Sequence, residues 1–270
     1  MSQQSKSHGR KSISANSQPR ALMTPSPKLA GVWTAQILTL FPEAFPGVLG
    51  ESLTGRALED GKWALNTIDL RLFGEGKHRN VDDTPAGGGA GMVLKPNVAG
   101  AALDRALAQQ KTPLPMICLS PRGMPFTQAR AHAWANADGV TMLCGRFEGI
   151  DQRVIDHYQL EEISLGDFVL TGGEIAAQAM IDATVRLLPD ILGNEASIAE
   201  ESHMAGLLEH PHYTRPALWN GRSIPDVLQS GHHINIAKWR QEMSHQVTKE
   251  KRPDLWAAFQ NALGEKDPKG

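Results

Sequence analysis

The chain has 270 residues, 41% of them hydrophobic and 21% charged, with a formal charge of −2. This is the balance of an ordinary globular protein, long enough for one large or two modest cores. No apolar run approaches the roughly 20 residues of a membrane-crossing helix, so no membrane span is expected.

Residues 1–28 hold seven serines, five Lys or Arg, and no acidic or aromatic residue. Such a segment cannot build a core and reads as a disordered tail. A transit peptide is the alternative for a basic, serine-rich stretch, although it shows no convincing apolar face. Setting the tail's five cations aside leaves −7 on residues 29–270. That balance is awkward for a nucleic-acid binder, whose footprint is a basic face. RNA contact would have to rest on local clusters at Arg71 to Arg79, His210 to Arg222, and Lys238 with Arg240.

After the tail, apolar runs predict strands at Thr34–Phe41, Ala64–Leu72, Pro115–Ser120, Val140–Cys144 and Phe168–Leu170. Helical patterns lie between them at Val98–Gln109, Thr127–Ala137 and Glu174–Leu188. Strands alternating with helices predict a mostly parallel sheet covered on both faces. Cys118 and Cys144 fall in the strand runs and read as small buried hydrophobes, not as a disulfide. The polar, acidic stretch Gly193–His203 reads as a linker or mobile loop. Proline-marked turns follow, then helical patterns at Ile224–Ser230, Ile234–Met243 and Pro253–Leu263. The expected division is a tail (1–28), an α/β domain (29–192), a linker (193–208) and a small helical domain (209–270).

Several motifs invite chemistry. Gly87-Gly88-Gly89-Ala90-Gly91 is no dinucleotide fingerprint, because Asp82-Asp83-Thr84-Pro85 precedes it where a strand is needed. Gly76-Lys77 is followed by His78, so it is no P-loop. Six of the ten histidines lie between His203 and His245, yet no HExxH or Cys-X-X-Cys spacing supports zinc, and no metal site is expected. The strongest signal is a pair of runs, Leu143-Cys144-Gly145-Arg146-Phe147-Glu148-Gly149-Ile150-Asp151 and Ser164-Leu165-Gly166-Asp167-Phe168-Val169-Leu170-Thr171-Gly172-Gly173-Glu174. Each is an apolar strand ending in a glycine-bracketed acidic loop, the arrangement by which α/β proteins hold nucleotide-like ligands. Leu119-Ser120-Pro121-Arg122-Gly123 is a third strand end running into a turn.

Together these motifs, from about Thr34 to Arg240, resemble the bacterial tRNA (guanine-37-N1)-methyltransferases of the SPOUT superfamily. The resemblance implies an α/β fold whose mostly parallel sheet contains a trefoil knot, with a small helical C-terminal domain. It also implies a cytoplasmic homodimer with the donor site at its interface, S-adenosylmethionine as methyl donor, tRNA as partner, and magnesium. Carried over residue by residue, the donor would lie against Leu119, Ser120, Pro121 and Gly123, and against Gly145, Glu148 and Gly149. Its third wall would be Ser164, Leu165, Gly166, Asp167, Phe168, Val169, Leu170, Gly172 and Gly173. Phe147 and Phe168 stand where the family often has tyrosine. Asp82, Gly88 and Gly89 would border the target guanine, while Tyr213 and Arg215 would contact tRNA.

Two residues carry the implied catalysis. Arg186 would support charge on guanine O6, although its spacing from Asp182 alone reads as a surface ion pair of about 0.2–0.5 kcal/mol. Glu201 stands where the family has an aspartate base that takes the guanine N1 proton. Its extra methylene alters reach, and on residues alone a solvated acidic linker is the alternative reading of Glu200-Glu201-Ser202. The competing readings are a related enzyme acting on another RNA, and a catalytically silent RNA-binding module.

Overall fold

The computed structural model describes residues 31–192 and 206–265. The tail, most of the predicted linker, and Glu200, Glu201 and Ser202 lie outside the described residues.

Five parallel strands form one sheet, β1 (Trp33–Thr39), β2 (Trp63–Asp69), β5 (Met116–Pro125), β6 (Gly139–Cys144) and β7 (Glu161–Ser164), in the order β2-β1-β6-β5-β7. A two-residue pair, β3 (Asp82–Asp83) with β4 (Val93–Leu94), lies apart from it. The helices are α1 (Ser52–Glu59), α2 (Pro96–Gln109), α3 (Gln128–Ala135), α4 (Gln152–Tyr158) and α5 (Glu174–Val185).

Adjacent residues on one strand point to opposite faces of a sheet. Here both faces are apolar. Ile37, Ile117 and Met142 join one core with Trp134 of α3 and Met180 and Ile181 of α5. Their neighbours Leu38, Cys118 and Leu143 join a second core with Val98 and Leu103 of α2 and Val154 of α4. Strands buried on both sides read as unbroken hydrophobic runs, which is why the sequence marks them so clearly.

One predicted strand is corrected. Phe168–Leu170 forms no ladder, and the fifth strand is β7, immediately before the Leu165–Gly173 loop. Val169 is 82% exposed and Phe168 is exposed beside it. Apolar content misled there because Phe168 and Val169 point outward and Leu170 packs on the core from a loop, while β7, an edge strand opening on two glutamates, hides only Ile163 and Ser164.

Residues 206–265 carry a hairpin, β8 (Leu218–Trp219) with β9 (Arg222–Ser223), then α6 (Asp226–Gln229), α7 (His233–Lys251) and α8 (Pro253–Glu265). Asn220 and Gly221 both take positive φ, 48° and 74°, as a tight two-residue hairpin turn requires. The His245 ring packs between Trp256 and Phe259, each centroid 5.4 Å away, holding α7 against α8.

Candidate functional site

A cavity of about 330 Å³ opens at the carboxyl ends of β5, β6 and β7. Ligands of open parallel sheets collect at that edge, and the volume falls within the range of small-molecule sites. Thirteen of the residues predicted for the donor line it: Leu119, Ser120, Pro121, Gly145, Glu148, Gly149, Ser164, Leu165, Phe168, Val169, Leu170, Gly172 and Gly173. Gly123, Gly166 and Asp167 are not among the lining residues.

Gly123 acts in the framework instead. A Cβ there would lie 2.3 Å from the Ile163 nitrogen, so only glycine lets β5 run this close to β7. Gly166 is held in a local loop, its N–H donating to Ser164 Oγ at 3.2 Å while the Ser164 hydroxyl donates to the Gly166 carbonyl at 2.8 Å. Asp167 is exposed.

Two of the cavity's loops are fastened by a group that sequence reading gave no role. Arg146 donates from Nε (3.0 Å) and pairs from Nη2 (2.9 Å) with Glu174 Oε2, and its Nη1 reaches the Thr171 carbonyl at 3.3 Å. The guanidinium lies 4.5 Å from the Phe41 ring centroid, a stacking geometry that suits arginine. Glu174 is buried, and its second oxygen accepts from Thr39 Oγ1 at 2.7 Å. Gly172 must be glycine beside this group, because a Cβ there would lie 2.1 Å from Arg146 Nε. The Gly173 N–H donates to the Gly145 carbonyl at 3.0 Å, closing one loop on the other. A buried carboxylate demands a cation or donors. An acid opening the apolar helix α5 is therefore the sequence signal that could have pointed to Arg146.

The glycine run predicted to border the target base adjoins the cavity wall. The Glu148 N–H donates to the Met92 carbonyl (2.9 Å), the Leu94 N–H to the Gly149 carbonyl (3.0 Å), and the Asp151 N–H to the Leu94 carbonyl (3.4 Å). Gly91, at φ 91°, leaves room for Glu148, whose Cγ an added Cβ would approach to 2.4 Å. Asp82 sits in β3, and Gly88 and Gly89 face open space at positive φ.

Thiol chemistry is absent from the cavity. Burial pushes the Cys118 thiol up to about 12, with Glu162 adding to the shift, and burial raises Cys144 as well. Neither sulfur is a thiolate near neutral pH, so neither serves as a nucleophile.

Three predicted residues stand away from the cavity. Arg186 caps the far end of α5, its N–H on the Asp182 carbonyl at 3.2 Å. At 1.5 Å per residue this is about 20 Å from the Gly173 end that meets the cavity. Tyr213 packs against Trp239 with ring centroids 6.1 Å apart, and Arg215 is exposed.

The sheet edge, glycine loops and cavity define an α/β protein with a small-molecule-sized site at the carboxyl ends of its strands, beside an open glycine run. Sequence comparison resolves the class further. The chain belongs to the family described as tRNA (Guanine-1)-methyltransferase TrmD, whose pattern matches residues 33–258. It is 65% identical over 238 residues to a tRNA (guanine-N(1)-)-methyltransferase of Ruegeria pomeroyi, covering 88% of this chain and 98% of that one. A protein of the same description from Cereibacter sphaeroides is 64% identical over 243 residues, covering 89% and 97%. One from Brucella suis is 55% identical over 238 residues, covering 88% and 96%. The chain is accordingly a methyltransferase of the SPOUT class, with the predicted α/β fold.

Proposed function

We propose that this protein transfers a methyl group from S-adenosylmethionine to N1 of the guanine at position 37 of tRNA, beside the anticodon, in the cytoplasm. The observation that supports it most is the direct backbone joining of the cavity loop at Glu148 and Gly149 to Met92 and Leu94, the residues that follow the glycine run. A donor in the cavity and a base on the run would then share one wall.

The residues present fit the donor. Leu119, Leu165 and Leu170 supply apolar surface for an adenine ring, and the glycine-bracketed loops supply close backbone groups for its polar edge. Glu148 offers a carboxylate to the cationic sulfonium. S-Adenosylmethionine brings the activated methyl group; the protein's work is to hold donor and base in line and move one proton. Guanine N1 carries that proton, and Glu201, at the family's aspartate position, is the proposed base. Arg186 would steady the charge gathering on O6, since its planar fork suits a carbonyl oxygen.

Arg186 is about 20 Å along α5 from its own chain's cavity, which supports a homodimer in which the partner completes each site. Phe168, Val169 and Ile175 expose apolar surface beside the cavity, and such a patch is a docking face. Membership of the SPOUT class supports a trefoil-knotted backbone around the donor, with the helical C-terminal segment as the tRNA-binding domain. Magnesium finds less support. It prefers oxygen donors, whereas the metal-capable grouping among the described residues, Glu209 with His210 and His212, contains two imidazoles.

The test is single-turnover methylation of tRNA with pre-bound donor, which isolates chemistry from product release. Glu201→Gln should slow it by about 10²–10⁴-fold, while Glu201→Asp keeps substantial activity. A Gln variant running at the wild-type rate would remove Glu201 from the mechanism.

A further inference from the structure

The turn that opens the C-terminal stretch gathers three metal-capable side chains, and its backbone is fixed. The Leu208 N–H donates to Thr248 Oγ1 at 2.8 Å, and the Leu208 carbonyl accepts from Ser244 Oγ at 2.5 Å, so the turn is clamped to α7 at two points. Beyond the clamp, one ligand atom each from Glu209, His210 and His212 lies within 4.8 Å of the other two. His212 Nε2 and Glu209 Oε1 are 2.9 Å apart. Pro211, between the histidines, fixes φ and stiffens the presentation. Trp239 of α7 packs against His210, with ring centroids 6.2 Å apart.

A second observation concerns the His210 tautomer. Its Nδ1 lies 3.2 Å from the Pro211 carbonyl oxygen. A carbonyl oxygen only accepts, so this contact puts the proton on Nδ1 and leaves Nε2 as the nitrogen with a lone pair. Metal-binding imidazoles have this pattern, one nitrogen donating to a backbone carbonyl while the other ligates.

We propose that Glu209, His210 and His212 form a site for one divalent transition-metal ion, with zinc as the best match. Two imidazoles and a carboxylate suit zinc, whose ligand distances of about 2.0–2.1 Å place tetrahedral neighbours about 3.3 Å apart. Separations of at most 4.8 Å close to that value by side-chain movements of up to about 1.5 Å. Three protein ligands leave a fourth position to water. The bound ion would stiffen the clamped turn just ahead of Tyr213 and Arg215. The site depends on these three side chains alone and stands whether or not the methyl-transfer reading holds.

The test uses the full chain, stripped by chelator and titrated with cobalt(II). One equivalent should bind at micromolar concentration with the intense visible absorption of tetrahedral cobalt, and zinc should displace it. His210→Ala and His212→Ala should each weaken binding by more than the roughly 10–100-fold that loss of an outer-shell partner costs. Glu209→Gln, which keeps the side chain's size, should weaken binding while leaving the far-ultraviolet circular dichroism unchanged. The double variant His232→Asn with His233→Asn removes two histidines outside the cluster and should bind as wild type does. Failure of the wild-type chain to take up stoichiometric cobalt overturns the proposal. So does a well-folded Glu209→Gln variant that binds normally, or loss of binding confined to the His232 and His233 variant.

Discussion

Replacing Gly145 with valine tests the cavity without attacking the fold. Gly145 keeps an ordinary negative φ, and an added Cβ would sit 3.6 Å from both Ile150 Cδ1 and the Leu119 carbonyl oxygen, which is normal van der Waals contact. The backbone therefore tolerates a side chain, whose remaining atoms must occupy space that the cavity offers a ligand. Forcing extra carbons into a well-fitted site costs about 1–3 kcal/mol, or roughly 5- to 150-fold in Kd. The informative contrast is Gly173→Ala, whose Cβ would lie 2.9 Å from the Cys144 Cα and must push α5 away from β6. Calorimetric titration with S-adenosylmethionine and thermal unfolding should separate the two. Gly145→Val loses donor affinity at nearly unchanged Tm, and Gly173→Ala loses Tm. Donor affinity within twofold of wild type in the valine variant would refute the placement of the donor, and an equal fall in Tm would refute the claim of spare room.

Other outcomes follow from the same geometry. Glu174→Ala leaves Arg146 without its carboxylate partner; because the arginine retains some solvent contact, urea unfolding should show a loss of about 2–4 kcal/mol, below the full cost of orphaning a buried charge. With burial raising both thiols, Cys118 to about 12, the folded protein should resist alkylation at pH 8 and release both thiols to reagent on unfolding. Rapid labelling of either cysteine in the native state would contradict the burial. Arg215→Ala should weaken tRNA binding and reduce the magnitude of the salt slope of log K by about 1, while donor binding stays unchanged; loss of both would mark the residue as structural.

The parallel sheet was legible because its central strands are buried on both faces. Ile37 with Leu38, and Met142 with Leu143, put adjacent apolar residues into opposite cores, and that leaves a continuous hydrophobic run in sequence. The three cavity loops were legible because close backbone approach restricts their residues to glycine. Phe168–Leu170 was misread since apolar content reports what a side chain prefers to touch, not which secondary structure carries it. Phe168 and Val169 are exposed, whereas Leu170 packs against the core from a loop and not from a strand. The Arg146–Glu174 pair was invisible for another reason. Its members are 28 positions apart, and only the meeting of the β6 and α5 ends makes them neighbours. Glu209, His210 and His212 escaped because their spacing matches no helical ligand pattern, and a turn clamped to α7 brings them together.

The strand order also governs when the protein can fold during its synthesis. β6 lies between β1 and β5, so β1 waits for its second neighbour until Cys144 has been made. The 105 positions between Thr39 and Cys144 take on the order of 5–20 s at typical elongation rates. Throughout that interval the nascent chain carries a central strand with one unpaired edge and two apolar faces, the kind of surface that chaperones capture. Synonymous codon changes that slow translation between β2 and β6 should therefore lower the soluble yield without altering a single residue of the mature enzyme.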